Sequence, residues 1–188
     1  IIDCGANIGL VTLYLKTKFP ESRIIAFEPD PEAFNALEYN CKSLRNVNLI
    51  NAAVWTQKGS TNFIQIGAIG GHLSNLYETS EESDIYVKTE RLRDYLDDEI
   101  EFLKMDIEGA EIDVLTDCAD KLHNVNKMFV EFHSFINKPQ RLAELTKVIQ
   151  EAGFRMHIHS SMEEHQPFMG VGVYNHKDLR VNIFCYRD

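Results

Sequence analysis

Short apolar runs alternate along this chain with segments of helical period. Few folds accept that pattern. Strands that carry apolar residues at consecutive positions are buried on both faces, so helices must cover both sides of a parallel sheet. Ile1-Ile2-Asp3 reads as the end of one such strand, followed by the turn Gly5-Ala6-Asn7-Ile8-Gly9. Leu10, Leu13, Tyr14 and Thr17 then recur at helical spacing. Arg23 to Phe27 is a second strand, stopped by Glu28-Pro29-Asp30-Pro31. Asp30 fits a helix N-cap, with Pro31 at the first helical position. Phe34, Leu37, Glu38 and Cys41 carry that helix on, and Val47 to Val54 reads as a single third strand.

The stretch from Trp55 to Asp84 is interrupted by Gly59, Gly67, Gly70 and Gly71. Residues 63–66 and 85–88 are expected to pair around a loop, which is a candidate lid, and Arg91 to Asp97 to form a short helix. Glu101 to Asp106 and Lys127 to Phe132 are strand-like, and Ile112, Leu115 and Leu122 mark the helix between them. Arg141, Leu142, Leu145, Val148 and Ile149 make an amphipathic helix closed by Gly153. Residues 154–158 and 181–186 are the last strands. The expectation is an α/β chain with one domain over residues 1–188. It starts at Ile1, without Met, directly at a strand, so residues upstream are expected.

Composition excludes several functions. With 19 basic against 29 acidic residues the net charge is −10, and no basic patch offsets it. Neither a nucleic acid nor an anionic membrane surface is the expected partner. No apolar run is long enough to span a bilayer, so no membrane insertion is expected. Cys4, Cys41, Cys118 and Cys185 are far apart and form no Cys-x-x-Cys pair. Reduced thiols and a cytoplasmic location follow as expectations.

In a sheet of this kind ligands bind beyond the carboxyl ends of the strands, and polar residues cluster there. Glycines in the first turn let a ligand approach and turn backbone N–H groups toward it. Asp3 is placed to accept a hydrogen bond from a ligand ammonium. Asn7 stands where a dinucleotide turn would carry its second glycine, which disfavours a pyrophosphate. Read alone, the segment fits ligand binding, with a glycine-rich turn that holds no ligand as the alternative. Glu28, at the next strand tip, suits the two ribose hydroxyls of an adenosine group, or simply flanks the following helix. Asn51, Ala52 and Ala53 leave room for an adenine ring, or are an ordinary strand end. Lys104, Asp106 and Glu108 put charge into an apolar strand and its turn, which is costly unless the charges are paired or used. Glu111 reads as a first-turn helix carboxylate. Glu131 and His133 share one face of a strand, where the histidine is either a base or a hydrogen-bonded rim residue.

In this order, DCGANIGLVTLYL, IIAFEPDPEAF, KMDIEGAE and FVEFH resemble the FkbM family of S-adenosylmethionine-dependent methyltransferases, from Ile1 to about Gly153. The resemblance implies a Rossmann-like class I methyltransferase: a mostly parallel seven-stranded sheet with helices on both faces, the last strand antiparallel. It also implies S-adenosylmethionine as cofactor and O-methylation of a sugar, a glycan or a natural-product hydroxyl. Asp3, Gly5, Asn7 and Gly9 would form the methionine-side loop, Glu28 would hold the ribose, and Asn51 to Ala53 would border the adenine. Asp106, Glu108 and Glu131 would line the reaction crevice beside His133.

Methyl transfer is an in-line displacement, so the acceptor oxygen must be held collinear with the methyl carbon and sulfur. Asp106 and His133 are the candidate bases, with Glu131 orienting His133. His72 and Ser74 are candidate substrate contacts in the lid, together with Glu108. A metal-free reaction is expected. A divalent ion on Asp106, Glu131 and His133 is the alternative, while His157 and His159 share a strand face that nothing completes into a site. An inactive cofactor-binding or regulatory domain of the same fold and a nicotinamide oxidoreductase are the rival functions.

Overall fold

The structure is a computed structural model that describes residues 1–65, 71–73, 84–136, 138–161, 168, 170, 173 and 176–187. The first half of the sheet comes from β1 (Ile2–Cys4), α1 (Leu10–Lys18), β2 (Ile24–Phe27), α2 (Pro31–Cys41) and β3 (Val47–Ile50). A second sheet follows, built from β4 (Ala53–Trp55), β5 (Gly59–Gln65), β6 (Gly71–Leu73) and β7 (Asp84–Arg91). The chain then returns to the main sheet through β8 (Ile100–Met105), α3 (Glu111–Asp117), β9 (Val125–Phe135), α4 (Leu142–Glu151), β10 (Arg155–Ser160) and β11 (Lys177–Tyr186).

The main sheet has seven strands in the order β10-β11-β9-β8-β1-β2-β3. Every pair from β9 to β3 is parallel, and β11 is antiparallel to both its neighbours. Strand order reverses at β1, because β2 lies on one side of it and β8 on the other. Loops leaving the ends of β1, β2 and β8 therefore diverge and leave a crevice between them.

Side-chain alternation fixes the two faces. Ile2, Cys4, Phe27, Leu103 and Met105 form one core with Leu115 of α3 and Leu145 and Ile149 of α4. Ala26 packs with Leu37 and Cys41 of α2 in a separate cluster on the other face, with Leu13 of α1 against it. Asp3 pairs across the ladder with Lys104. The two charges interrupt the apolar alternation of β1 and β8 at the same level.

Local signals account for most boundaries. Asp30 caps α2, its Oδ1 accepting from the N–H of Glu32 at 2.8 Å and of Ala33 at 3.1 Å, with Pro31 in the first turn. Gly153 ends α4 at φ +86°, in the left-handed region. Residues 91–97 tighten into a single 3-10 segment, Leu92–Tyr95, and Ala119–Asn124 after α3 is another. Phe63 does lie opposite Ile85 and Thr61 opposite Val87, while most of the loop expected between these strands lies outside the described residues.

One expected element is corrected. Val47 to Val54 is two strands in two sheets, because the chain turns at Asn51-Ala52. There the Ala52 N–H bonds back to the Ile50 carbonyl, and the Asn51 amide donates to the carbonyls of Glu28 and Pro29. A continuous apolar run conceals such a break, since hydropathy does not register which partner a strand has.

Candidate active site

Beyond the ends of β1, β2 and β8 lies a cleft enclosing about 650 Å³, including its open mouth. Gly5, Asn7, Glu28, Ala52, Ala53, Asp106 and Glu108 line it, all of them singled out in the sequence. Phe27, Val54 and Phe63 add an apolar wall.

The first turn is built differently from the expectation. Gly5 and Ala6 both donate their N–H groups to the Phe27 carbonyl, at 3.1 and 2.9 Å. The Asn7 N–H donates to Glu28 Oε2 at 2.7 Å, and the Ile8 N–H to the Asn7 side chain. The turn therefore satisfies its own donors and presents no row of free N–H groups. Its glycines serve close approach within the protein. A Cβ on Gly5 would sit 1.9 Å from the Asp106 carbonyl oxygen, and φ there is +76°. Gly9, at φ +91°, does not line the cleft. A Cβ there would meet Leu37 at 2.7 Å, so this glycine seats α1 against α2.

Asp3 is likewise corrected. It is fully buried, Oδ2 accepts from the Thr12 hydroxyl at 2.7 Å, and Oδ1 faces Lys104 Nζ at 3.5 Å. A direct contact with a ligand ammonium is closed to it. Lys104 ties the centre of the site together. Its Nζ donates to the Gly5 carbonyl at 2.6 Å and lies 3.5 Å from Asp106 Oδ2 as well as from Asp3. Burial works against its charge, but the two carboxylates outweigh burial and raise its pKa. The buried ammonium thus clamps the first turn between β1 and β8.

Glu28 does face the cleft. Oε2 accepts from Asn7 and Oε1 from the Asp30 N–H at 2.9 Å. Burial pushes its pKa up to about 7 despite these two hydrogen bonds. Each oxygen keeps a second lone pair, so the carboxylate can still accept two hydroxyls. Asn51 stands behind, anchoring the strand end through its amide, while Ala52 and Ala53 carry the wall.

The β8–β9 flank is a charged cluster. His133 is almost wholly buried, with a side chain 1% exposed. Its Nδ1 lies 3.0 Å from Glu111 Oε1. A carboxylate only accepts, so the ring proton sits on Nδ1. Nε2 points at Glu108 Oε2, 3.6 Å away, and Asp106 Oδ1, 3.9 Å away. Burial disfavours the imidazolium, but the bond to Glu111 and the charges of Glu111 and Glu108 raise the His133 pKa above its ordinary value. Lys177 of β11 pairs with Glu108.

The expected Glu131–His133 pairing is replaced. Glu131 Oε1 binds Arg180 Nε at 3.1 Å, and Glu111 orients the imidazole. Burial first, and the charge of Asp106 second, raise the Glu131 pKa. Glu111 itself is fully buried and also accepts from the N–H groups of Ile107 and Gly109. It binds the turn as well as the histidine. The sequence signal for Glu111 was present, a carboxylate just inside the helix after Asp106, but helix-end electrostatics explained it equally well. Lys177 and Arg180 carried no signal, because they come from the strand added last.

His72 lies in β6 opposite Ile64, and Ser74 is outside the described residues. His157 and His159 are exposed on β10. All four cysteines are buried and free. Among the described residues no helix is long and apolar enough to cross a membrane.

The Methyltransferase FkbM domain model matches residues 3–156. Methyltransferase 1 of Beauveria bassiana is 32% identical over 149 residues, 64% of this chain and 59% of that protein. The 2-O-methyltransferase NoeI of Sinorhizobium fredii is 25% identical over 151 residues, 70% of this chain and 62% of that protein. The crystal structure of an FkbM methyltransferase from Methylobacillus flagellatus superposes with a TM-score of 0.59 at 16% identity, over 97% of this chain and 42% of that one. The chain thus spans about three fifths of the length of these curated relatives.

Proposed function

The chain belongs to the FkbM methyltransferase family, and from that premise we propose that it methylates a hydroxyl oxygen of a sugar, a glycan or a natural product, with S-adenosylmethionine as donor. The observation that carries this reading is one cleft with a carboxylate on each flank of the β1 turn, Glu28 on one side and Asp106 on the other. The similarity to a relative named as a 2-O-methyltransferase supports an oxygen acceptor.

The donor's chemistry is an electrophilic methyl group on a sulfonium. The residues present fit such a group. Glu28 retains acceptor capacity for two ribose hydroxyls, and the small side chains of Ala52 and Ala53 beside Phe63 leave an apolar slot for a flat ring. The carboxylates of Glu28, Asp106 and Glu108 make the cleft anionic, which favours a cationic ligand.

Asp106 is the carboxylate that meets the acceptor. Its side chain is 29% exposed and lines the cleft, whereas His133 lies behind it. In this reading the acceptor hydroxyl gives its proton to Asp106 as its oxygen attacks. Lys104, 3.5 Å from Oδ2, holds that carboxylate in place, and the His133–Glu111 pair stands behind it. A chain carrying a net charge of −10 suits a small hydroxylated acceptor better than a polyanion.

The test joins two measurements. Calorimetric titration with S-adenosylmethionine and, separately, NAD is expected to show binding of the first alone, weakened in Glu28→Gln. Transfer of a labelled methyl group to a panel of glycans and hydroxylated small molecules is expected to fall at least tenfold in Asp106→Asn with donor binding retained. Absence of donor binding, or binding of NAD in its place, overturns the reading. Donor binding without transfer to any acceptor favours an inactive domain.

A further inference from the structure

Three side chains converge where the acceptor oxygen is placed. One oxygen each of Asp106 and Glu108 and one ring nitrogen of His133 lie within 4.8 Å of one another. His133 Nε2 is 3.6 Å from the Glu108 oxygen and 3.9 Å from the Asp106 oxygen. Both distances are too long for hydrogen bonds. They match ligand atoms around a shared ion. Two ligands each about 2.1 Å from a metal are about 3 Å apart at a right angle and about 4.2 Å apart when opposed.

The surroundings point the same way independently of the cluster. His133 is buried, and among the described residues Nε2 makes no hydrogen bond; this edge of the ring faces the carboxylates of Glu108 and Asp106. Its other edge donates to the buried carboxylate of Glu111. That arrangement is the usual outer support of a metal-bound histidine, since it fixes the ring and raises its basicity. Asp106 turns Oδ2 toward Lys104 and Oδ1 toward His133, which leaves Oδ1 for the ion. Lys177 competes with the ion for Glu108.

We propose that Asp106, Glu108 and His133 bind a divalent cation of the Mg²⁺ or Mn²⁺ class, and that the cation holds the acceptor oxygen at the cleft. Two hard carboxylates with a single imidazole and no thiolate select that class over softer metals. Only the second half of the statement rests on the methyl-transfer reading.

The probe is Mn²⁺ alone, added to the full chain and followed by the electron paramagnetic resonance signal of the free aqua ion. One ion per chain is expected, with affinity at least tenfold weaker in Glu108→Gln and His133→Ala. In Glu111→Gln a tenfold to hundredfold loss is expected, roughly that of outer-shell partners. Near-ultraviolet circular dichroism selects the variants that fold. Glu108→Gln, on a partly exposed side chain, keeps the test open if the buried substitutions do not fold. No uptake by the parent at about 1 mM Mn²⁺, or equal uptake by a folded Glu108→Gln, overturns the site. S-adenosylmethionine binding is titrated on the same preparations. Mn²⁺ bound without donor binding leaves the cation site standing and sinks the methyl-transfer reading, and the reverse result sinks the cation site.

Discussion

The two flanks of the cleft hold their carboxylates by different means. On the β1–β2 flank, Glu28 is satisfied by backbone N–H groups of Asn7 and Asp30. On the β8–β9 flank, Asp106, Glu108 and Glu131 are balanced by the side chains of Lys104, Lys177 and Arg180. A backbone-held carboxylate needs only that the local turn be correct. A side-chain-held one needs strands distant in sequence to arrive in register. The first flank is therefore a product of local geometry, and the second a product of the assembled sheet.

The largest effect that can break this contrast is at Gly5. In Gly5→Ala the new Cβ meets a backbone carbonyl at 1.9 Å, at a φ that L residues avoid. Neither atom can rotate aside, so the folded state is expected to lose more than about 4 kcal/mol. The urea midpoint measures it. A near-parental midpoint would mean that the turn tolerates rearrangement and is not locally determined.

Lys104→Met probes the junction of the two flanks. It strips the fully buried Asp3 of its cation, which costs about 3–5 kcal/mol when one partner of a buried pair is removed. The companion Asp3→Asn, Lys104→Met chain is expected to recover much of that loss. Failure to recover would show that the lysine serves the Gly5 carbonyl more than the aspartate.

Glu28 gives a pH signature of known sign. Its pKa near 7 in the folded chain stands above the 4.5 of an ordinary glutamate. The folded chain then holds the proton more tightly than the unfolded chain, so stability falls as pH rises through this window, by about 3 kcal/mol at most. Donor affinity is expected to rise over the same window, because the ionised carboxylate is the better acceptor of ribose hydroxyls. Glu28→Gln removes both slopes and weakens donor binding roughly tenfold to a hundredfold at pH 8. Denaturant titrations and calorimetry across the window check the two opposite trends.

The smallest effect concerns a feature of one flank only. Asp30→Ala removes the cap of α2 and is expected to cost about 1 kcal/mol. The urea midpoint should move with its slope unchanged, and the Mn²⁺ uptake of the β8–β9 flank should not move at all.

Much of this molecule follows from its residues in order. The apolar alternation specifies a parallel sheet with helices across both faces, because strands buried on both sides have no other cover. Asp30-Pro31 specifies the start of α2 through a cap that needs only neighbouring atoms. Glu28 at a strand tip specifies one flank of the cleft for the same reason. Tertiary structure decided the rest. Asp3 looks like a ligand-facing carboxylate until Lys104, a hundred residues on, arrives beside it in the ladder. Glu131 is two residues from His133, yet Arg180 draws it away and Glu111 takes its place. Charges choose partners by distance in space, and no spacing within a single strand encodes what the next strand brings.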